Sequence, residues 1–256
     1  MKIAVVLKQV PDLVEGLEID VSGKAVDPGT VRYILSESDD HALEEALLIK
    51  ERVGGQVEVY SVDTGEAKET LITALAKGAD HATLVNAELE SSPDNHTAAQ
   101  VFAPIFRERP FDLLLTGVRA IDDLDGSLGG LIAGLLDLPY VGLIRKVQIG
   151  AEARSVVVEK EFPGGYAVEL AAILPAVLGI QAAEQPPRYV PITRLRQMMK
   201  TAIVEELLVP PPSPHPLVVE RLFKLEEGAG AAMLSGSPDQ LSRQIAGLIA
   251  ERHLLR

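Results

Sequence analysis

Short apolar runs alternate along this chain with longer stretches in which apolar residues recur every three or four positions. Residues 2–7, 56–62, 81–85 and 112–116 are rich in Val, Leu and Ile, and runs of that length read as strands covered on both faces. Between them, 39–53 places Ala42, Leu43, Ala46, Leu47 and Ile49 on one face, and 66–77 does the same with Ala67, Thr70, Leu71, Ala74 and Leu75. Both predict amphipathic helices. Ser36, with Asp39 three residues later, suits the start of the first helix, and Gly78 the stop of the second. Ser92-Pro93 is expected to open a third helix, to about Arg107, with proline in its first position. The order β-α-β-α-β-α-β implies an α/β fold: a doubly wound, mostly parallel, Rossmann-like sheet with right-handed crossovers.

After Pro139 the period changes. Residues 142–149, 155–161 and 166–171 alternate like strands, with Phe162-Pro163-Gly164-Gly165 as a hairpin turn, so an antiparallel extension is expected. A smaller excursion, 18–26, turns at Ser22-Gly23. From Pro186 prolines break any regular element, densely so between Pro210 and Pro216, which predicts an extended arm. A last helix over 237–252 carries Leu241, Ile245, Leu248 and Ile249 on one side, a stripe that the main domain or a partner must bury.

Composition narrows the field. A chain of 256 residues, 47% hydrophobic, can bury one large core with an appendage. A formal charge of −13, from 24 basic against 37 acidic residues, argues against a nucleic-acid surface and against anionic membranes. No apolar run reaches the roughly 18 residues of a bilayer span, and Met1-Lys2-Ile3 leads straight into a strand. A soluble, unexported, cytoplasmic protein is expected. The absence of cysteine excludes thiolate metal sites and a cysteine nucleophile, so any redox chemistry must come from a bound cofactor.

In such a sheet ligands lie beyond the carboxyl ends of the strands, here 8–16, 63–65 and 117–130. The third loop is the most informative: an apolar strand leads through Ala120, Asp122, Asp123 and Asp125 to Gly126-Ser127-Leu128-Gly129-Gly130 at the mouth of an apolar helix. Free N–H groups over Gly126 to Gly129 could cradle a phosphate. Alternatively the glycines let helix and sheet approach closely while the aspartates cap the helix. The pairs Asp39-Asp40 and Asp122-Asp123 each precede a predicted helix, and capping is the expectation for both. His41, His81, His96, His215 and His253 lack metal-ligand spacing, and no nucleophile elbow, Walker lysine or Gly-x-Gly-x-x-Gly follows a strand. No catalytic or metal-binding residue is expected.

Several blocks resemble electron-transfer flavoprotein beta subunits and stand in that family's order: Val5-Val6-Leu7-Lys8-Gln9-Val10-Pro11-Asp12, Ala42-Leu43-Glu44-Glu45-Ala46, the run from Glu69 to Asp80, Ala120-Ile121-Asp122-Asp123, Leu174-Pro175-Ala176-Val177 and Pro187-Arg188-Tyr189. The resemblance implies a heterodimer in which an alpha subunit holds the redox-active FAD and this chain holds an adenine nucleotide, usually AMP, doing no bond-making chemistry itself. Such a carrier shuttles electrons from flavin dehydrogenases, acyl-CoA dehydrogenases among them, to a quinone oxidoreductase or another acceptor; in a eukaryote it would work in the mitochondrial matrix. Carried over by position, the pocket would use Val6 and Val62, Ser36 where the family usually has Asn, and Ala120, Asp123, Gly126, Ser127 and Leu128. The AMP-binding members have Asn-Gln-Thr where this chain has Gly126-Ser127-Leu128. An electron-bifurcating branch instead holds a second FAD here and shares the aliphatic residue at Leu128, though it has Gln at the position of Ser127.

The same resemblance places Leu13 near the partner's flavin and makes 187–200 a recognition loop, with Ile192 as the anchor that docks a dehydrogenase and Leu195 behind it. The division implied is a nucleotide-binding domain over 1–186, that loop, and a partner-wrapping arm over 201–256. A stand-alone nucleotide sensor of the universal-stress type would end near the fifth strand and lack the arm. An adenylating enzyme of the pyrophosphatase-loop class would need Ser-Gly-Gly-x-Asp-Ser after the first strand, where this chain has Lys8 to Asp12.

Overall fold

The computed structural model describes residues 1–14, 16–89, 92–123, 125–150, 154–212, 219–224 and 230–253. The elements in chain order are β1 Lys2–Val6, β2 Gln9–Pro11, β3 Tyr33–Leu35, α1 Glu37–Val53, β4 Gln56–Val62, α2 Ala67–Lys77, β5 His81–Asn86, α3 Asn95–Glu108 and β6 Leu113–Gly117. They continue as α4 Leu128–Leu136, β7 Tyr140–Ile149, β8 Ser155–Phe162, β9 Tyr166–Ile173, β10 Ala176–Ile180, α5 Ile192–Thr201, β11 Glu205–Leu208 and α6 Pro238–Glu251.

The apolar runs become one sheet in the order β11-β5-β4-β1-β6-β10-β7-β8-β9, with β2 and β3 pairing apart from it. Every pair from β11 to β7 is parallel, while β7-β8 and β8-β9 are antiparallel. Side chains alternate across each strand, so both faces must be covered. Ile3, Val5, Leu113 and Leu115 pack with α1 and α2 residues such as Leu43, Leu47 and Leu71. Val6, Tyr60, Val62 and Leu114 pack with Phe102, Phe106 and Ile132 of α3 and α4. Leu113, Leu114 and Leu115 are wholly buried, each contributing on the order of 1.5 to 3 kcal/mol of hydrophobic stabilisation. The chain winds from β1 outward to β4 and β5, returns at β6 and proceeds the other way to β10. The crevice between β1 and β6 is therefore the point where the winding direction reverses, the usual ligand position in such sheets.

Three local expectations need correction. The third helix starts at Asn95 rather than at Pro93, because the Asp94 side chain accepts the Thr97 N–H at 2.8 Å and makes the better cap. Asp39 and Asp40 do not cap α1: Ser36 stands at the N-cap without a side-chain bond, and Asp40 pairs with Lys77. Asp122 and Asp123 do not cap α4, because both are drawn to Lys8.

Three other elements differ from the periodic reading. Ala176–Ile180 is a fully buried strand inserted between β6 and β7, so the antiparallel extension reaches the core only through it. Within 187–200, residues from Ile192 onward are helical and pack on α2. Within the arm, Glu205–Leu208 pairs with β5 as the far edge of the sheet. The hairpin turn after β8 is as expected, with Gly164 and Gly165 at positive φ, and so is the small excursion, which closes through a bridge between Ile19 and Val26.

Candidate functional site

The carboxyl ends of β1, β4 and β6 open into two cavities on opposite faces of the sheet. On the α3 and α4 side, Val6, Val62, Asn95, Ala98, Phe102 and Leu128 line a narrow cleft of about 30 Å³. On the α1 side, Leu13, Ile34, Ser36, His41, Arg119 and Ala120 line a broad groove of about 800 Å³. The residues assigned to one pocket are thus divided: Val6, Val62 and Leu128 fall in the cleft, Ser36, Ala120 and Leu13 in the groove. Asp123 lies between the two. Gly126 and Ser127 lead into α4 and line neither cavity.

Lys8 joins the two cavities. It follows β1 and its ammonium reaches Asp122 Oδ1 and Asp123 Oδ1, both at 2.7 Å. Burial works against that charge, but the hydrogen bonds to the two aspartates outweigh it and raise the Lys8 pKa. Asp123 Oδ2 also accepts the Ala120 N–H at 2.9 Å, closing a tight turn. The neighbouring Gln9 amide donates to the Glu66 carbonyl and to Thr70 Oγ1, which fixes the chain after β1 to α2.

At the mouth of α4 the loop supplies its own anion. Asp125 Oδ1 accepts the Ser127 N–H at 3.1 Å, the Ser127 hydroxyl at 2.5 Å and the Asn95 amide at 2.8 Å. The Ser127 hydroxyl first, then Asn95, holds the Asp125 pKa below its usual value. The N–H groups of Leu128, Gly129 and Gly130 open α4, where no preceding turn supplies acceptors. A Cβ on Gly126 would lie 2.4 Å from the Val118 carbonyl, so this glycine is required for close backbone approach. Apolar walls beside those helical N–H groups suit an adenine nucleotide. At about 30 Å³, however, the cleft is roughly a tenth of the smallest usual ligand pockets, so its walls must part for one to enter.

Asp39, expected from the sequence to be a cap, and the pair Glu44-Glu45, named there only within a family block, form two buried carboxylate clusters whose roles sequence reasoning missed. Asp39 accepts the N–H groups of Lys8 at 2.9 Å and Gly117 at 2.8 Å, between the ends of β1 and β6. Its complete burial pushes its pKa up to about 7, against the pull of those two N–H groups. One turn further along α1, buried Glu44 binds the Arg188 guanidinium at 2.8 Å and accepts the Arg188 N–H at 2.9 Å. Glu45 takes the Glu184 N–H at 3.0 Å and a bond from Arg52. These contacts hold 184–188 against α1, ahead of α5. There Ile192 is 59% exposed, Leu195 is half-buried and Met198 packs on the core. The available signal was that Glu44 and Glu45 interrupt the apolar stripe between Leu43 and Ala46.

Among the described residues no cluster of His, Asp and Glu is arranged to hold a metal, and no helix is long and apolar enough to cross a membrane. The pattern of the Electron transfer flavoprotein domain matches residues 25–211. The chain is 30% identical to the electron transfer flavoprotein subunit beta of Bacillus subtilis (strain 168), over 97% of each chain. It is 35% identical to the subunit of the same name from Thermoanaerobacterium thermosaccharolyticum, over 74% of this chain and 71% of that one. It is also 29% identical over the full length of both chains to the caffeyl-CoA reductase-Etf complex subunit CarD of Acetobacterium woodii.

Proposed function

Because the chain belongs to the electron transfer flavoprotein beta subunit family, we propose that it is the nucleotide-holding half of a two-chain electron carrier. Its alpha partner holds the redox-active FAD, which takes electrons from flavin dehydrogenases, acyl-CoA dehydrogenases among them, and gives them to a quinone oxidoreductase or a similar acceptor. The observation that carries this reading is an apolar lip: Leu13 and Val14 stand 55% and 92% exposed on the rim of the broad groove. Paired aliphatic side chains projecting from a strand-end loop mark a contact surface. Leu13 would meet the partner's flavin there.

The chain makes and breaks no bonds of its own. Among the described residues, the carboxyls with raised pKa, Asp39 and Glu45, are tied to backbone N–H groups of the scaffold. AMP in the cleft would place adenine against Val6, Val62 and Phe102 and its phosphate at the start of α4, supplying packing rather than chemistry. Ser36, Ala120 and Asp123 would act from the groove side by holding the loop, and Gly126 and Ser127 by shaping the approach to α4. A second FAD in the cleft, as in a bifurcating carrier, is the alternative. It is favoured by Asp125, which already takes the N–H and hydroxyl of Ser127 that a terminal phosphate would use.

The docking segment is 187–200, with Ile192 as anchor and Leu195 behind it. The arm over 201–256 wraps the partner, a role supported by α6, none of whose described residues is buried. The nucleotide-binding unit is then 1–186, and the carrier works in the cytoplasm. Co-expression with an alpha subunit, followed by extraction of ligands, tests the whole. One FAD and one AMP per heterodimer are expected, and two FAD would indicate the bifurcating form. Recovery of a heterodimer with neither would refute the assignment.

A further inference from the structure

The reversal point between β1 and β6 is where a ligand usually sits in this kind of sheet. Here a side chain of the protein sits there instead. Asp39, from the first turn of α1, accepts the N–H of Lys8 beyond β1 and that of Gly117 at the end of β6. Gly117 allows this approach, since a Cβ there would lie 2.3 Å from Ser38 Oγ and 2.5 Å from Asp39 Oδ1. Ser38 adds a second tie by donating to the Arg119 carbonyl at 2.7 Å. Lys8 is held at both ends: its backbone N–H by Asp39 on the groove side, and its ammonium by Asp122 and Asp123 of the loop that leads to α4.

We propose that Asp39 is a positioning residue for the nucleotide cleft: it fills the crevice between β1 and β6 and, through the Lys8 backbone, fixes the lysine that holds the 119–123 loop. This rests on the reading of the cleft as a nucleotide site. The charged groups around Asp39 are Lys8 from the end of β1, Asp122, Asp123 and Arg119 from the loop after β6, and Glu37, Asp40 and His41 on its own helix, with Asp40 paired to Lys77. Burial, aided by the Asp123 charge, places its titration near neutrality. The folded pKa lies above the ordinary carboxylate value, so the folded state takes the proton more readily than the unfolded one. The contribution of Asp39 to stability therefore rises as pH falls from about 7 toward about 4. The grip on the Lys8 and Gly117 N–H groups weakens over the same range, because a neutral acid accepts less strongly than a carboxylate. That contribution and nucleotide retention should move in opposite directions with pH.

The test compares the co-expressed heterodimer with its Asp39→Asn variant, using AMP and, separately, FAD as calorimetric probes between about pH 5 and about pH 8. For the wild type, affinity is expected to fall roughly tenfold toward the acidic end while the melting temperature rises relative to that of the variant. For the variant the affinity profile should be flatter, with affinity low throughout. Nucleotide binding with the same pH profile in both proteins overturns the role of Asp39 alone. Absence of AMP and FAD binding at every pH overturns the nucleotide reading and the positioning with it. Should Asp39→Asn not fold, the wild type alone decides: loss of hydrogen-exchange protection at the Lys8 and Gly117 amides on acidification, beyond that of the β6 core amides, supports the proposal, and unchanged protection refutes it.

Discussion

The parallel half of the sheet and its antiparallel extension use similar residues and meet different fates. In β6 and β10 every residue from Leu113 to Thr116 and from Ala176 to Ile180 is buried, because helices cover both faces. In β8, Val156 and Val158 still reach the core beneath α1, and Ala172 of β9 follows them. The same row then continues past that cover as Leu170, Val168 and Tyr166, opposite Val158, Lys160 and Phe162, and these are exposed. An apolar row that begins in a core and runs into solvent leaves an exposed apolar strip on the edge hairpin of the sheet. Whether a Val or Leu is buried or exposed depends here on which helix lies above it.

Leu115→Ala should break the covered half most severely. Leu115 is wholly buried beneath α1, so the change should cost about 2 to 5 kcal/mol. Urea denaturation would show this as a lower midpoint at unchanged slope, and a loss near zero would mean that the layer repacks freely. Val168→Asp addresses the open half. The new carboxylate would stand opposite Lys160, so folding should lose no more than about 1 kcal/mol, whereas pairing with the alpha subunit should weaken roughly thirtyfold. Undiminished pairing would mean that the row faces water in the carrier as well. Ile192→Ala is the smallest perturbation, because α5 rests on α2 through Met198 and leaves Ile192 outside. Its melting temperature should stay within a degree or so of wild type, while electron transfer from a dehydrogenase slows. A clear drop in melting temperature would move Ile192 into the core.

Much of this was legible in the chain because it is local. A helix declares itself by its apolar stripe and a covered strand by an unbroken apolar run, so α1, α2, β1, β4, β5 and β6 appear at or near their predicted positions. The antiparallel extension was equally plain from its alternation and its Pro-Gly-Gly turn. The insertion of β10 was not. Ala176-Val177-Leu178-Gly179-Ile180 is an apolar run like the others, and nothing local says that it lies between β6 and β7.

The candidate site divides in the same way. The sequence by itself determined the strand-end loops, the glycines before α4 and the blocks that mark the family, since each is a run of neighbours. Only the tertiary structure decided that Asp39 binds the N–H groups at 8 and 117, that Lys8 reaches Asp122 and Asp123, and that Glu44 of one family block grips Arg188 of another. It also separated Val6, Val62 and Leu128 from Ser36, Ala120 and Leu13, by placing them on opposite faces of one sheet. Periodicity fixes which way a side chain points within its own element. Its partner across more than a hundred residues is fixed by the order in which strands stack and by the low polarity between them, where a carboxylate persists only if it finds N–H groups or a cation.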